Sequence, residues 1–135
     1  GQVTSGATSF GQKAAAVALE SDHTPTYEMA KAFHQRRDLI ISLLEQIPLL
    51  MVNRPQGAFY IFPDVSAYFG KTSANGYLVK DADDMSLYLL AEAQVSSVSG
   101  VAFGNDKCIR LSYATSDAKL KDAAQRIAIA LASLK

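Results

Sequence analysis

The stretch Cys108-Ile109-Arg110-Leu111-Ser112-Tyr113-Ala114 decides the fold, because its side chains alternate as they do in a β-strand. Ile109, Leu111 and Tyr113 share one face of this predicted strand, and Arg110 lies on the other face. A guanidinium among apolar neighbours must reach water or find an anion. Periodicity alone favours a structural role, in which Arg110 lies on an edge strand and pairs with an Asp or Glu. Its planar fork also matches a carboxylate ligand.

Outward from this strand, the sequence predicts three further strands, over residues 49–53, 58–62 and 95–98. The connection between 95–98 and Cys108 is short, so we expect these two strands to pair antiparallel. The stretch 63–82 is predicted to be a loop or an insertion.

Four helices are predicted around these strands. They are a helix that opens with a Ser9–Gln12 capping box, a long helix from Thr24 to Pro48, a helix from about Asp83 to Gln94, and a helix from Ser116 to the end. The order of elements predicts an α+β domain of two layers, with a small, mainly antiparallel sheet covered by helices and a long N-terminal linking helix.

Composition narrows the functional classes. The chain has 135 residues, 49% of them hydrophobic, and a formal net charge of zero, which favours one soluble globular domain and argues against a nucleic-acid partner. No apolar run is long enough to span a membrane. The single cysteine, Cys108, forms no internal disulfide and suits a reducing cytoplasm. His23 and His34 lack the spacing of metal ligands, so no metal site is expected.

No complete catalytic motif is visible. The chain lacks a nucleophile elbow, a Walker phosphate loop and a dinucleotide-binding glycine pattern. Two glycine-containing segments remain, the loop 97–104 and the strand start at Gly57, and each is a weak signal alone.

Taken together, however, several segments form a recognisable series. They are Gln2–Gly6, Gln12-Lys13-Ala14-Ala15, Arg36-Arg37-Asp38, Pro55-Gln56-Gly57-Ala58-Phe59-Tyr60-Ile61-Phe62-Pro63-Asp64, Gly100-Val101-Ala102-Phe103-Gly104 and Ile109-Arg110-Leu111-Ser112-Tyr113-Ala114. In this order and spacing they resemble the C-terminal part of class I aminotransferases, the pyridoxal-phosphate enzymes of the aspartate aminotransferase family. The resemblance covers essentially the whole chain.

The resemblance implies specific roles for site residues. In the family, the arginine of the Arg-x-Ser-Tyr-Ala strand, matched by Arg110, binds the α-carboxylate of the amino-acid substrate. Gly57 and Phe59 match the part of the small domain that faces the substrate. A further set, Gly100, Phe103 and Gly104, matches a mobile turn beside the site.

The resemblance also implies a division of the chain. Residues 1–24 correspond to the large-domain side of the parent enzyme, 25–48 to the long linking helix, and 49–135 to the small, substrate-closing domain. The stretch Thr4-Ser5-Gly6 corresponds to a segment near the cofactor and the subunit interface. One departure is Ser99, where family members often carry proline, and it puts the rigidity of the following turn in doubt.

The cofactor machinery of the family is absent from the matched segments. No lysine of the chain lies in the family's Schiff-base context, so no catalytic residue is assigned and covalent binding of pyridoxal phosphate is not expected. The chain also begins without Met, and we expect it to be a piece of a longer cytoplasmic enzyme that moves an amino group between an amino acid and a 2-oxo acid.

Exposed helix faces of such a piece favour a homodimer or another form of self-association. Two alternatives stay open from the sequence: a non-catalytic α+β module that binds a partner or a small carboxylate, and a related aminotransferase acting on aromatic amino acids.

Overall fold

The computed structural model describes residues 5–135, and these fold into four α-helices and a small antiparallel sheet. The elements follow in the order α1 (Ser9–Glu20), α2 (Thr24–Leu44), β1 (Tyr60–Ile61), α3 (Ala82–Ala93), β2 (Val98–Ser99), β3 (Ile109–Ser112) and α4 (Asp117–Ala132). This arrangement confirms the predicted α+β class. The chain divides into two compact units, Gly1–Ala32 and Phe33–Lys135, and the boundary falls within α2.

The sheet has three strands in the order β1-β3-β2, so β3 is the central strand. Both of its neighbours run antiparallel to it, as was predicted for the strand before Cys108. In β1, Tyr60 lies opposite Ser112 and Ile61 opposite Leu111. In β2, Val98 lies opposite Arg110.

The core of the larger unit draws its side chains from the sheet and from α2, α3 and α4. In α4, apolar side chains that recur at three- and four-residue steps are buried, including Leu120, Ile127 and Leu131. Buried Tyr88 of α3 donates a hydrogen bond from its hydroxyl to the carbonyl oxygen of Ala130 at 2.8 Å, which ties α3 to α4. A buried tyrosine hydroxyl without such an acceptor would be destabilising, so this bond matters to the packing of the two helices.

The strands are shorter than the sequence predicts, because side chains and turns replace ladder hydrogen bonds. The Oδ1 atom of Asn53 accepts the backbone N–H of Phe62 at 2.7 Å, which ends β1. Ala58, with φ 61°, breaks the extended chain before β1. The predicted strand 49–53 is reduced to one bridge between Met51 and Asp64, and Leu49 in front of it has φ 68°.

Helix ends also differ from prediction. The prediction of a capping box at α1 is wrong. Ser9 lies inside the helix, and Thr8 precedes it without a side-chain cap. The Gln12 side chain donates a hydrogen bond to the carbonyl oxygen of Ala7 instead. Helix α2 ends at Leu44, ahead of Pro48. At α3 the cap is Asp81, whose carboxylate accepts the backbone N–H of Asp84.

The segment 63–82 belongs to the core and is more than a loop. It contains a single-turn 3₁₀ helix, Ser66–Tyr68, and it buries Val65, Tyr68 and Val79. Thr72 exchanges two backbone hydrogen bonds with Lys135, at 2.9 and 3.1 Å. The burial of this segment could not be predicted from its polar local sequence, because the segment packs through contacts with distant parts of the chain.

Candidate functional site

The central strand β3 presents Arg110 on the face predicted from the sequence. Ile109, Leu111 and Tyr113 are buried, whereas Ser112 is exposed and Arg110 is half-buried. The alternation therefore holds from Ile109 to Tyr113. The structural interpretation of Arg110 required it to lie on an edge strand. Because β3 lies between β1 and β2, Arg110 lies on the central strand instead.

The guanidinium of Arg110 lies against two aromatic rings. Its Cζ atom is 4.2 Å from the centroid of the Tyr60 ring and 4.1 Å from that of the Phe103 ring. Both distances are well within the range of cation–π attraction. Tyr60 comes from β1 and Phe103 from the 3₁₀ turn Gly100–Phe103 that follows β2.

Arg110 differs from the other four arginines of the chain in its polar partners. Arg36 pairs with Asp117, Arg37 and Arg54 with Asp38, and Arg126 with Asp122, in each case through at least one contact of 3.7 Å or less. Within residues 5–135, the guanidinium of Arg110 has no carboxylate within 4 Å and no hydrogen-bond acceptor, unlike the paired arginines. The expected Asp or Glu partner is therefore not found in the part of the chain that the structure describes.

The chemical consequence is a fixed cation with free donors. A guanidinium carries five N–H donors in its plane, and a carboxylate accepts two of them side by side. The two rings contact Arg110 without accepting these donors. This arrangement can receive an incoming carboxylate. In an internal ion pair, the N–H donors of the guanidinium would already be occupied.

The turn that carries Phe103 is held by backbone hydrogen bonds. The N–H of Gly100 donates to Cys108 at 2.7 Å, and the Gly100 carbonyl accepts the N–H of Asn105 at 3.0 Å. A Cβ atom on Gly100 would overlap the backbone oxygens of Asn105 and Cys108, so the turn requires glycine. Gly104 ends the turn with φ 80°, a left-handed conformation that favours glycine.

Ser99, which stands where family members often carry proline, has a side-chain contact with the turn that follows it. Its side-chain oxygen accepts the N–H of Val101 at 3.4 Å and so caps the 3₁₀ turn. Serine is among the residues that satisfy a free N–H at a helix start in this way. The departure from the family pattern therefore leaves the turn with an ordered beginning.

Of the other predicted site residues, Phe59 lies in the aromatic surroundings of Arg110. Its ring centroid is 4.5 Å from that of Tyr60 and 6.0 Å from that of Phe33. Gly57 lies in an exposed turn, and a Cβ atom on it would meet nothing within 4 Å. The structure thus brings Phe103 and Arg110 into contact and gives no contact between Gly57 and Arg110.

Tyr60 is the site residue that sequence reasoning missed. It stands within the quoted Gly-Ala-Phe-Tyr segment, of which only Gly57 and Phe59 were assigned to the substrate side. Its position opposite Ser112 puts it on the same side of the sheet as Arg110, two residues along β3. A predicted register between the two strands would have identified it.

The predicted segment Thr4-Ser5-Gly6 lies only partly within the structure. Thr4 lies outside the described residues, and Ser5 and Gly6 are exposed. Their expected place near a cofactor stays a prediction.

The residues present do not fit pyridoxal phosphate. Seven of the eight lysines are exposed and Lys71 is half-buried, so none is enclosed as a covalent attachment site requires. A cleft of about 380 Å³ is lined by Met51, Val52, Asn53, Phe62, Asp64, Asn105 and Cys108, a set without a cation for a phosphate. Burial raises the pKa of the Cys108 thiol in this cleft, and nearby Asp64 acts in the same direction.

Two further observations concern metal ions and membranes. Residues 5–135 contain no group of three or more His, Cys, Asp or Glu side chains that could hold a metal ion. Among the helices of the same residues, none is both long and apolar enough to cross a membrane.

Comparison with known proteins gives consistent matches. The family model for aminotransferase class I and II matches residues 1–127. A bifunctional aspartate aminotransferase and glutamate/aspartate-prephenate aminotransferase of Petunia hybrida is 40% identical over 137 residues, covering 99% of this chain and 29% of that protein. A probable aspartate/prephenate aminotransferase of Rhizobium leguminosarum is 41% identical, covering 94% of this chain and 32% of that protein.

Solved structures give the same picture. The crystal structure of the aspartate aminotransferase from Rhizobium meliloti matches with a TM-score of 0.92 and 40% identity, covering 99% of this chain and 34% of that one. An aromatic aminotransferase from Pyrococcus horikoshii matches with a TM-score of 0.78 and 34% identity, covering 90% and 31%. The chain thus spans about a third of the length of the proteins it matches.

Proposed function

The chain belongs to the family of class I and II aminotransferases, and we propose that it serves a pyridoxal-phosphate-dependent aspartate aminotransferase by binding the substrate carboxylate through Arg110. The observation that carries this proposal is the guanidinium of Arg110, which lies against two rings and has no polar partner within residues 5–135. The aspartate and aspartate/prephenate aminotransferases among the relatives support the choice of substrate.

The chemistry of transamination explains why a permanent cation is suitable. An amino acid and a 2-oxo acid differ at the reacting carbon but share the carboxylate beside it. A bidentate contact to that carboxylate orients both substrates alike, and guanidinium keeps its charge at any physiological pH. Orientation of this kind lowers the entropic part of the barrier.

Pyridoxal phosphate supplies an electron sink to the reaction in this family. Residues 5–135 do not build a site for it, so we assign to this chain only carboxylate binding and the shape of the substrate side. In this proposal, the residues that hold the cofactor lie outside residues 5–135. In this proposal the 135 residues form part of a longer enzyme.

The domain roles follow from the same proposal. Residues 49–135 act as the small domain that closes on the substrate, 25–48 as the linking helix, and 1–24 on the large-domain side. The division of the structure within α2 supports a link in this region. In this proposal Gly57 and Phe59 face the substrate, and a homodimer in the cytoplasm is the expected state of the enzyme.

The test is steady-state kinetics of the longer enzyme with L-aspartate and 2-oxoglutarate. We expect Arg110→Ala to raise KM for both substrates and to lower kcat, with a loss of at least about 100-fold in kcat/KM, since a charge-assisted bidentate contact is removed. Arg54→Ala, which removes an exposed arginine that already pairs with Asp38, is the matched control and should retain activity. Unchanged kinetics for Arg110→Ala would refute the proposal.

A further inference from the structure

The rings beside Arg110 suggest how its guanidinium is kept ready for a ligand. We propose that Tyr60 and Phe103 form an aromatic clamp, a pair of positioning residues that fix the plane of the Arg110 guanidinium. This inference rests on the proposed function of Arg110 as the carboxylate-binding residue. It goes beyond that function because it assigns roles to two residues that do not themselves bind the carboxylate.

The clamp reaches Arg110 from two different parts of the fold. Tyr60 belongs to β1, and Phe103 belongs to the turn after β2; these two strands flank β3 on opposite sides. The Cζ atom of Arg110 lies 4.2 Å from one ring centroid and 4.1 Å from the other. Two contacts from different elements restrict rotation of the guanidinium more than one contact would.

An aromatic clamp differs from an acidic partner in what it leaves free. A carboxylate holds a guanidinium by accepting its N–H donors, and these are the same donors that a substrate needs. An aromatic ring attracts the cation through its π face and does not take up the N–H donors in hydrogen bonds. Within residues 5–135 no acceptor reaches Arg110, so the clamp orients the side chain and keeps its donors available.

Neighbouring side chains hold both rings of the clamp. The Tyr60 ring lies 4.5 Å from the Phe59 ring, which in turn lies 6.0 Å from Phe33 of α2. Phe103 packs edge-on against Phe62 at 6.1 Å. A continuous row of aromatic contacts therefore runs from α2 through Arg110 to the turn, and the clamp is itself supported.

The first test measures the mobility of the Arg110 Nε–Hε group by ¹⁵N relaxation in the 135-residue chain. We expect an ordered group in the wild type and in Tyr60→Phe, which keeps the ring. Tyr60→Leu and Phe103→Leu should lower the order parameter towards that of a flexible side chain. Tyr27→Leu, at a tyrosine that is 71% exposed, is the matched control and should leave the signal unchanged.

Circular dichroism tests whether each variant is folded. A variant that fails to fold is replaced by Tyr60→Met or Phe103→Met. An Arg110 signal that stays as ordered in the folded Leu or Met variants as in the wild type would overturn the clamp. A signal that becomes mobile only when a ring is removed supports it.

The second test is kinetic and uses the longer enzyme. We expect Tyr60→Leu and Phe103→Leu to lower kcat/KM for L-aspartate about tenfold, the scale of one cation–π contact, with rescue in Tyr60→Phe. If Tyr60→Phe and Tyr60→Leu lowered kcat/KM for L-aspartate equally, an orienting role for the ring would be overturned. If the wild-type enzyme does not transaminate, the proposed function fails, and the relaxation measurement alone decides on the clamp.

Discussion

At the scale of single residues, the surroundings of Arg110 depend on one glycine. Gly100 is buried, with its N–H bonded to the Cys108 carbonyl and its own carbonyl bonded to Asn105. This close approach of three backbone segments brings Phe103 over the guanidinium. The shape of the site therefore rests on a position where no side chain fits.

We accordingly expect Gly100→Ala to destabilise the chain by about 2 kcal/mol or more, because the added methyl group overlaps the backbone oxygens of Asn105 and Cys108. The measurement is urea unfolding followed by circular dichroism. Gly57→Ala is the matched control, since a Cβ atom there meets nothing within 4 Å, and it should change the free energy of unfolding little. Equal effects of the two substitutions would contradict the role given to Gly100.

At the scale of elements, helix starts are fixed by particular side-chain oxygens. Asp81 caps α3 through the N–H of Asp84, and Ser116 caps α4 through the N–H of Lys119. Asp38 of α2 pairs with Arg37 of its own helix and with Arg54, while Arg37 also donates to the Pro55 carbonyl. This network ties α2 to the segment that leads into β1 and so to Tyr60.

The cap of α3 gives a direct comparison of two neighbouring carboxylates. We expect Asp81→Ala to lower the free energy of unfolding by about 1 kcal/mol, the usual effect of removing a helix cap. Asp83→Ala should have a smaller effect, since Asp83 lies within the first turn and contributes through the helix dipole only. Thermal or urea unfolding of both variants decides between them, and a larger effect at Asp83 would count against the observed cap.

The Asp38 network predicts a dependence of stability on pH. The hydrogen bond from Arg37 lowers the pKa of the Asp38 carboxyl, so the folded state favours its ionised form. The contribution is therefore present above the unfolded-state pKa of about 3.9 and is lost as the pH falls through the lower folded-state pKa.

We expect Asp38→Asn to be less stable than the wild type at pH 7 and the difference to shrink towards zero in acid. Unfolding at a series of pH values measures this difference. Asp106→Asn, at an exposed residue without an ion pair within residues 5–135, serves as the control. A difference that grows as the pH falls would show that the sign is wrong.

At the scale of the whole molecule, its two units differ in how much apolar surface they bury. Phe33–Lys135 contains a continuous core, whereas α1 has no buried residue and exposes Phe10 (78%) and Leu19 (76%). A twelve-residue helix is only marginally stable in water unless it packs against something. The exposed side chains of α1 therefore favour association with other polypeptide.

For the isolated chain we expect dimers or higher oligomers. Sedimentation at several concentrations should give a weight-average mass that rises with concentration, and Phe10→Ser with Leu19→Ser should reduce the rise. Leu87→Ser, at an exposed leucine of α3, is the control for a general effect on solubility. A monomer at every concentration would contradict this expectation.

Local patterns account for the parts of the fold that were predicted correctly. The alternation around Arg110 and the periodicity of α4 depend on side chains close in sequence, so both were visible. The position of Tyr60 beside Arg110 depends on the register between strands about fifty residues apart, which no local pattern encodes. The buried role of 63–82 and the side-chain bond of Asn53 to Phe62 were hidden for the same reason.

The most direct test of the account is whether Arg110 receives a carboxylate. Titration of the 135-residue chain with succinate, observed through the Nε–Hε signals of its five arginines, makes this measurement. The account predicts that the Arg110 signal shifts progressively and further than the signals of the other four arginines, each of which already pairs with an aspartate. The shifting signal is assigned to Arg110 by its loss from the spectrum of Arg110→Lys, in which the other four signals remain. Small shifts of equal size in all five signals, or the largest shift at another arginine, would contradict it.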